Sequence, residues 1–160
     1  YSIYNTIEMP NYTCENCGKN FSQKGHYDNH IKRKTPCKKI DNNKVLKNPT
    51  HRSKNKNLIC GDEMEIGLLV EDDIVKDIGY QCTSCVYCQA SVSLLSRKIM
   101  NKKIEEIKKF ILNAEKIFDD IKSNIDKHWS DFNELFDKKN VSRKECLLLP
   151  LKTILKALKD

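Results

Sequence analysis

The sequence predicts a small α+β protein. Two short strands and a helix are held together by cysteine and histidine near the amino end, followed by a short β-hairpin and then a helical module. Three observations predict this. Cys14, Cys17, His30 and Cys37 stand at metal-ligand spacing. Two short β-like runs, about Met64–Val70 and Ile74–Tyr80, flank the acidic residues Glu71–Asp73 and lie near Gly61, Gly67 and Gly79. From Val92 neither Gly nor Pro occurs until Pro150, and apolar residues recur at helical spacing.

Taken in order, the chain divides into a lead-in segment (1–13), a metal-binding module (14–37), a basic linker (38–58), a hairpin and cysteine-rich module (59–91) and a helical module (92–160). Ile3, Tyr4, Ile7, Met9 and Tyr12 make the lead-in too apolar for a free tail. It reads as a strand or as a segment packed on something else. The chain opens at Tyr1 rather than Met, so a fragment or processed product is expected. No apolar run is long enough to span a bilayer, and no membrane partner is expected.

Eight cysteines among 160 residues suggest either a disulfide framework or metal. Their spacing favours metal in a reducing, intracellular compartment. The net charge of +7 is unevenly spread. Residues 1–60 carry twelve Lys/Arg against four Asp/Glu, 61–79 one against seven, and 80–160 sixteen against eleven. The basic excess at the amino end is where a phosphate backbone would be met.

Between Cys14 and Cys37 the spacing is Cys-x2-Cys-x12-His-x6-Cys. The two-residue loop turns both thiolates toward one point, and the twelve residues accommodate a strand, a turn and most of a helix. Ser22-Gln23 open a helix that runs to about Lys34, before Pro36. The stretch resembles the two-Cys, two-His zinc-finger family, with Cys37 in place of the last histidine and a longer final gap, and the resemblance implies that Phe21 and Tyr27 form the finger's small apolar core. Its Lys-Thr-Pro-Cys ending is similar to fingers in proteins of large DNA viruses, which would add virion association to nucleus or cytoplasm as locations.

The resemblance implies a ββα finger with structural zinc on Cys14, Cys17, His30 and Cys37. It further implies a helix reading DNA or RNA, with Gln23, His26 and Asn29 toward bases and Lys24, Lys32, Arg33 and Lys34 toward phosphates.

Cys82, Cys85 and Cys88 follow one another at two-residue intervals, with Cys60 upstream across the hairpin. Together they offer a second, four-thiolate zinc site, with His51 as a substitute ligand. The alternative, that these are small buried apolar residues, stays open. An iron–sulfur loop pattern is incomplete here, because Val92 stands where its fourth cysteine belongs. Asp62, Glu63, Glu65, Asp72 and Asp73 read as a solvated acidic face rather than a nuclease site. Cys146 reads as core.

A stripe from Met100 through Ile104, Ile107, Ile111, Ala114, Phe118, Ile121, Ile125, His128 and Phe132 to Leu135 predicts a long, coiled-coil-like helix, with a break offered at Ser130-Asp131. On this face His128 reads as a hydrogen-bonded core histidine. Ser142 and Glu145 form a capping box opening a last helix that Pro150 ends or kinks. The leading functional reading is a non-enzymatic nucleic-acid-binding protein whose helical stripe supports homo-oligomers or a protein partner. A structural or assembly protein is the alternative, and a metal-dependent nuclease the third.

Overall fold

Met64, Ile66 and Leu68 alternate with Glu63, Glu65 and Gly67, and this period of two places one face of a strand in a core. The computed structural model describes residues 12–14, 16–17, 19–37, 41–117 and 125–159. Most of the apolar lead-in, linker residues 38–40 and the stripe positions Phe118 and Ile121 lie outside the described residues. Two compact units result, Tyr1–Asp41 and Asn42–Asp160.

In the first unit, β1 (Tyr12–Thr13) pairs antiparallel with β2 (Asn20–Phe21), and α1 spans Lys24–Lys32. The helix buries no residue and Gln23 caps it without a side-chain hydrogen bond. Its support comes from Tyr27, whose ring lies 6.0 Å from Tyr12 and 6.1 Å from Phe21, and from His30 at 4.9 Å from Phe21.

The second unit is a three-stranded antiparallel sheet in the order β3 (His51–Lys56), β4 (Glu63–Glu71), β5 (Ile74–Thr83). The hairpin forms where the sequence places it. Asp72 and Asp73 both take positive φ (50° and 59°), the backbone that a two-residue turn matching strand twist requires. The first strand, β3, falls within the expected basic linker. It carries no apolar alternation because it is an edge strand with only Ser53 buried. Its cations meet the acids of β4: Arg52 pairs with Glu65 at 2.7 Å and Lys56 with Glu63 at 2.7 Å. The basic and acidic blocks of the sequence therefore partly neutralise each other across one strand pair.

Segment 42–50 crosses the sheet where Gly67 and Gly79 face each other in register. A Cβ on Gly79 would meet the Lys44 carbonyl oxygen at 2.5 Å, so the close approach requires glycine there.

The helical half differs from a single long stripe. α2 (Val86–Lys98) ends before Asn101, which has φ of 60°, and α3 (Ile104–Ile117) begins after it. A 3-10 turn at Lys127–Trp129, the short α4 (Phe132–Leu135) and a 3-10 segment at Lys138–Arg143 precede α5 (Lys144–Ala157). The apolar stripe is real as burial, since Ile107, Ile111, Ala114 and Phe132 are all in the core, but it is shared among separate elements. Phe110 and Trp129 stack at 4.0 Å across α3 and the 3-10 turn.

Pro150 lies inside α5 rather than at its end. Burial of Cys146 through Leu151 in succession makes α5 apolar nearly all round, and packing on α2, β3 and β4 outweighs the one backbone bond that proline forgoes. The hairpin and helical modules expected separately share this one core. Among the described residues, no helix is long and apolar enough to cross a membrane.

Candidate functional site

Among the described residues, two groups of potential metal ligands are brought together, one in each unit. In the first, Cys14, Cys17, His30 and Cys37 present ligand atoms all within 4.8 Å of one another. Cys14 and Cys37 sulfurs are 3.6 Å apart, and Cys17 Sγ lies 3.3 Å from His30 Nε2. The β1–β2 turn places the two cysteines, with the Cys14 amide donating to the Lys19 carbonyl at 2.9 Å. Burial raises the Cys14 thiol, but backbone hydrogen bonds from Cys17 and Asn16 and contacts with the Cys37 and Cys17 thiols outweigh it, leaving its pKa below the ordinary value. Cys37 is pushed the other way by burial and by sharing with Cys14 and Cys17. His30 is held below its usual pKa by desolvation, then by Arg33 and Lys19, so the imidazole stays neutral at pH 7.

The second group is Cys60, Asp62 and Cys146. The loop joining β3 to β4 is fixed by Asn57, whose amide donates to the Asp62 carbonyl at 2.8 Å and whose carbonyl accepts from Gly61 at 2.8 Å. Gly61 takes φ of +77°, which lets the loop present Cys60 and Asp62 on either side of it. Asp62 is buried, only 6 % exposed, and one carboxylate oxygen accepts the Cys85 amide at 3.0 Å. That amide stands at the N-cap of α2. The other carboxylate oxygen is buried, and no nitrogen or hydroxyl donates to it.

Cys146, in the first turn of α5, comes within 3.6 Å of the Cys60 sulfur. The Cys85 thiol reaches both Asp62 and Cys146. Burial also acts on Asp62, raising its pKa, but hydrogen bonds from Cys60, Cys85 and Cys146 prevail and hold the carboxyl below its ordinary range. Burial, followed by contacts with Cys60 and Cys85, pushes the Cys146 thiol well up. The result is a carboxylate held in its ionised form beside the Cys146 thiol, which burial keeps protonated, and open to solvent at the exposed Cys60.

The structure does not gather Cys82 and Cys88 into this group. Cys82 sits in β5 opposite Met64, half-buried, and Cys88 is fully buried in α2, where desolvation raises its thiol to about 12. In their place come Asp62, read from sequence as part of a solvated face, and Cys146, read as core. His51 hydrogen-bonds Thr50 at 2.9 Å on β3. Gln23, Lys24, His26, Asn29, Lys32, Arg33 and Lys34 are all exposed on or just beyond α1. The acids Glu63 and Glu65 are used in ion pairs with β3.

Comparison with known proteins decides between these readings. The family described as the NifU-like N terminal domain matches residues 37–141. The chain belongs to the NifU-like N-terminal domain family. It is 38% identical over 109 residues, 65% of this chain and 73% of the relative, to the iron–sulfur cluster assembly scaffold protein IscU of Thermotoga maritima. A crystal structure from Fervidobacterium islandicum AW-1, described as a candidate iron–sulfur cluster assembly scaffold for the SUF system, is 30% identical with a TM-score of 0.64 and covers 71% of this chain and 83% of its own. A NifU-like N-terminal structure from Brucella abortus shares the fold, with a TM-score of 0.65 at 16% identity over 71% of this chain and 80% of its own.

Membership of the NifU-like family corrects several expectations. The resemblance to zinc fingers, and to those of large DNA viruses, does not give the chain's family. Nucleic-acid binding and nuclease action are overturned, and with them DNA or RNA as partner. Zinc as the cofactor gives way as well, since the matched relatives are named for iron–sulfur cluster assembly. The Cys-x2-Cys-x2-Cys run does not coincide with the group that the fold gathers, because Cys60 and Asp62 stand on a loop and Cys146 on α5, and no local spacing records Cys146. The available signal was Cys60-Gly61-Asp62, a thiol and a carboxylate on a glycine turn.

Proposed function

We propose that residues 42–160 form a scaffold on which an iron–sulfur cluster is assembled and from which it is passed on, with Cys60, Asp62, Cys85 and Cys146 as its holding residues. The observation that carries this is the buried Asp62 carboxylate, held ionised, with the Cys60 and Cys146 thiols gathered to it and the Cys85 amide donating to it. Thiolates are the ordinary ligands of iron–sulfur clusters, so the donor set fits the cargo. The kinship with the Thermotoga maritima scaffold supports the same reading. Of the functions drawn from sequence, an assembly role is the one that carries forward, with a cluster rather than a subunit as the thing assembled.

The cluster, when bound, supplies iron in need of soft ligands. The rest follows from the chain's own residues. Cys146, its thiol pushed up by burial, keeps its proton until a cation arrives, and binding then releases that proton. Asp62 offers negative charge to incoming iron before the Cys146 thiol has ionised. Being a hard oxygen donor among soft sulfurs, it also holds iron less firmly than a fourth thiolate would, which suits a cargo that must leave. The Cys85 amide orients this carboxylate. Cys60, exposed on its glycine turn, is the point of entry.

The test is anaerobic addition of ferrous iron and sulfide, followed by visible absorption and by transfer to an apo-ferredoxin. The reading expects loading by the wild-type chain, loss on Cys60→Ser, Cys85→Ser or Cys146→Ser, and retention on Cys82→Ser and Cys88→Ser. Retention by Cys146→Ser with loss on Cys82→Ser would overturn it.

A further inference from the structure

We infer that Cys14, Cys17, His30 and Cys37 hold a single thiophilic divalent transition-metal ion, resident and structural, independent of the cargo handled by residues 42–160. Among its described residues the first unit has no hydrophobic core cluster. Its helix buries nothing, and its described apolar support is a chain of three aromatic rings, Tyr12, Tyr27 and Phe21, of which Phe21 lies against His30. A unit of this size needs a cross-link or a metal to fold. A disulfide is not that cross-link. All of the unit's cysteines are free, and Cys14 and Cys37 sulfurs stand 3.6 Å apart where a bond would be about 2.05 Å.

The separations instead suit four donors around one ion. With metal–sulfur bonds of about 2.3 Å and metal–nitrogen bonds of about 2.0 Å, a tetrahedron has edges of roughly 3.5–3.8 Å. The 3.6 Å sulfur pair and the 3.3 Å sulfur–nitrogen pair are close to those edges. The histidine is also turned the right way, since Nε2 is the ring atom that faces Cys17. Three sulfurs and one nitrogen select a thiophilic ion and fill all four positions, leaving none for exchange or chemistry. Binding would supply the folding free energy that the missing core does not.

The test uses the full chain, freed of metal by chelation and titrated with Co²⁺, whose visible bands are intense only in tetrahedral sites. In the Cys60→Ser/Cys146→Ser background, where the other site is crippled, one equivalent is expected to give those bands. Adding Cys17→Ser should abolish them. His30→Cys should restore one equivalent with stronger thiolate charge-transfer absorption, which a mere loss of folding could not produce. Bands that survive Cys17→Ser, bands absent from the Cys60→Ser/Cys146→Ser chain, or a silent His30→Cys chain would each overturn the inference. Iron–sulfur loading of Cys17→Ser, followed separately, reports on the scaffold reading alone.

Discussion

The two ligand groups proposed among the described residues are built in opposite ways. Cys14, Cys17, His30 and Cys37 fall within one short stretch, and two tiny strands and a helix suffice to bring them together. Cys60, Asp62, Cys85 and Cys146 come from a loop, a helix N-terminus and the first turn of the last helix, and only a packed core can align them. The first group is closed by its own ligands. The second is open at Cys60 and carries an oxygen donor. A local set depends on metal for its shape, whereas a set assembled at long range has its shape made for it by hydrophobic burial.

The sharpest way to break this comparison is to remove ligands one group at a time. Cys60→Ser or Cys146→Ser should reduce iron–sulfur loading at least about tenfold, since even residues that only orient metal ligands commonly cost that much. The same variants should leave the first unit's metal uptake unchanged, and Cys17→Ser should do the reverse. Bound iron, sulfide and Co²⁺ per chain would show it. A variant that lowered both uptakes equally would mean that the two groups do not act independently.

Next in size are changes to the core that aligns the second group. Leu147 is fully buried beside Cys146, and its backbone carbonyl accepts the Ser91 hydroxyl at 2.7 Å. Leu147→Ala should cost about 2–5 kcal/mol in denaturant unfolding of residues 42–160, and loading should weaken with it. Gly79→Ala should cost roughly 1–3 kcal/mol, because its methyl would drive into the Lys44 carbonyl, a backbone atom that cannot swing aside. Neither change should alter Co²⁺ binding by the first unit. Chelation, for its part, should leave the denaturant midpoint of the second unit where it was.

These same contrasts explain what could be read from sequence. The hairpin was legible because Met64, Ile66 and Leu68 alternate and Asp72-Asp73 tolerate positive φ. β3 was not, since an edge strand whose buried member is Ser53 carries no apolar signature. The spacing of Cys14, Cys17, His30 and Cys37 told which side chains could meet, because the whole geometry fits within a few turns of chain. It did not tell the family, which is written in the larger unit. Cys146 looked like any buried thiol in an apolar helix, and Asp62 like any acid in an acidic block. Their meeting depends on α5 packing against the sheet, a fact distributed over the core. The unbroken helical pattern after Val92 misled for a related reason: burial against several neighbours leaves a continuous apolar stripe even where Asn101 turns the backbone.

The smallest expected effect concerns pH and again separates the units. His128 Nε2 donates to the Lys98 carbonyl at 3.1 Å, and its ring meets Trp129 edge-on at 4.9 Å. Desolvation lowers its pKa; the Lys98 carbonyl and Glu106 oppose this, while Lys102 and Lys98 reinforce it. Because the folded value lies below the ordinary one, the unfolded chain takes up this proton first as pH falls. The stabilisation is complete above the ordinary histidine range and is lost as pH drops through it toward the folded value. Denaturant unfolding of the second unit from neutrality to about pH 5 should therefore show declining stability. His128→Gln, which can keep a donor toward Lys98 but cannot titrate, should flatten that decline. An unchanged slope would mean that the acid sensitivity belongs to other groups and that the histidine on this face is only a packing residue.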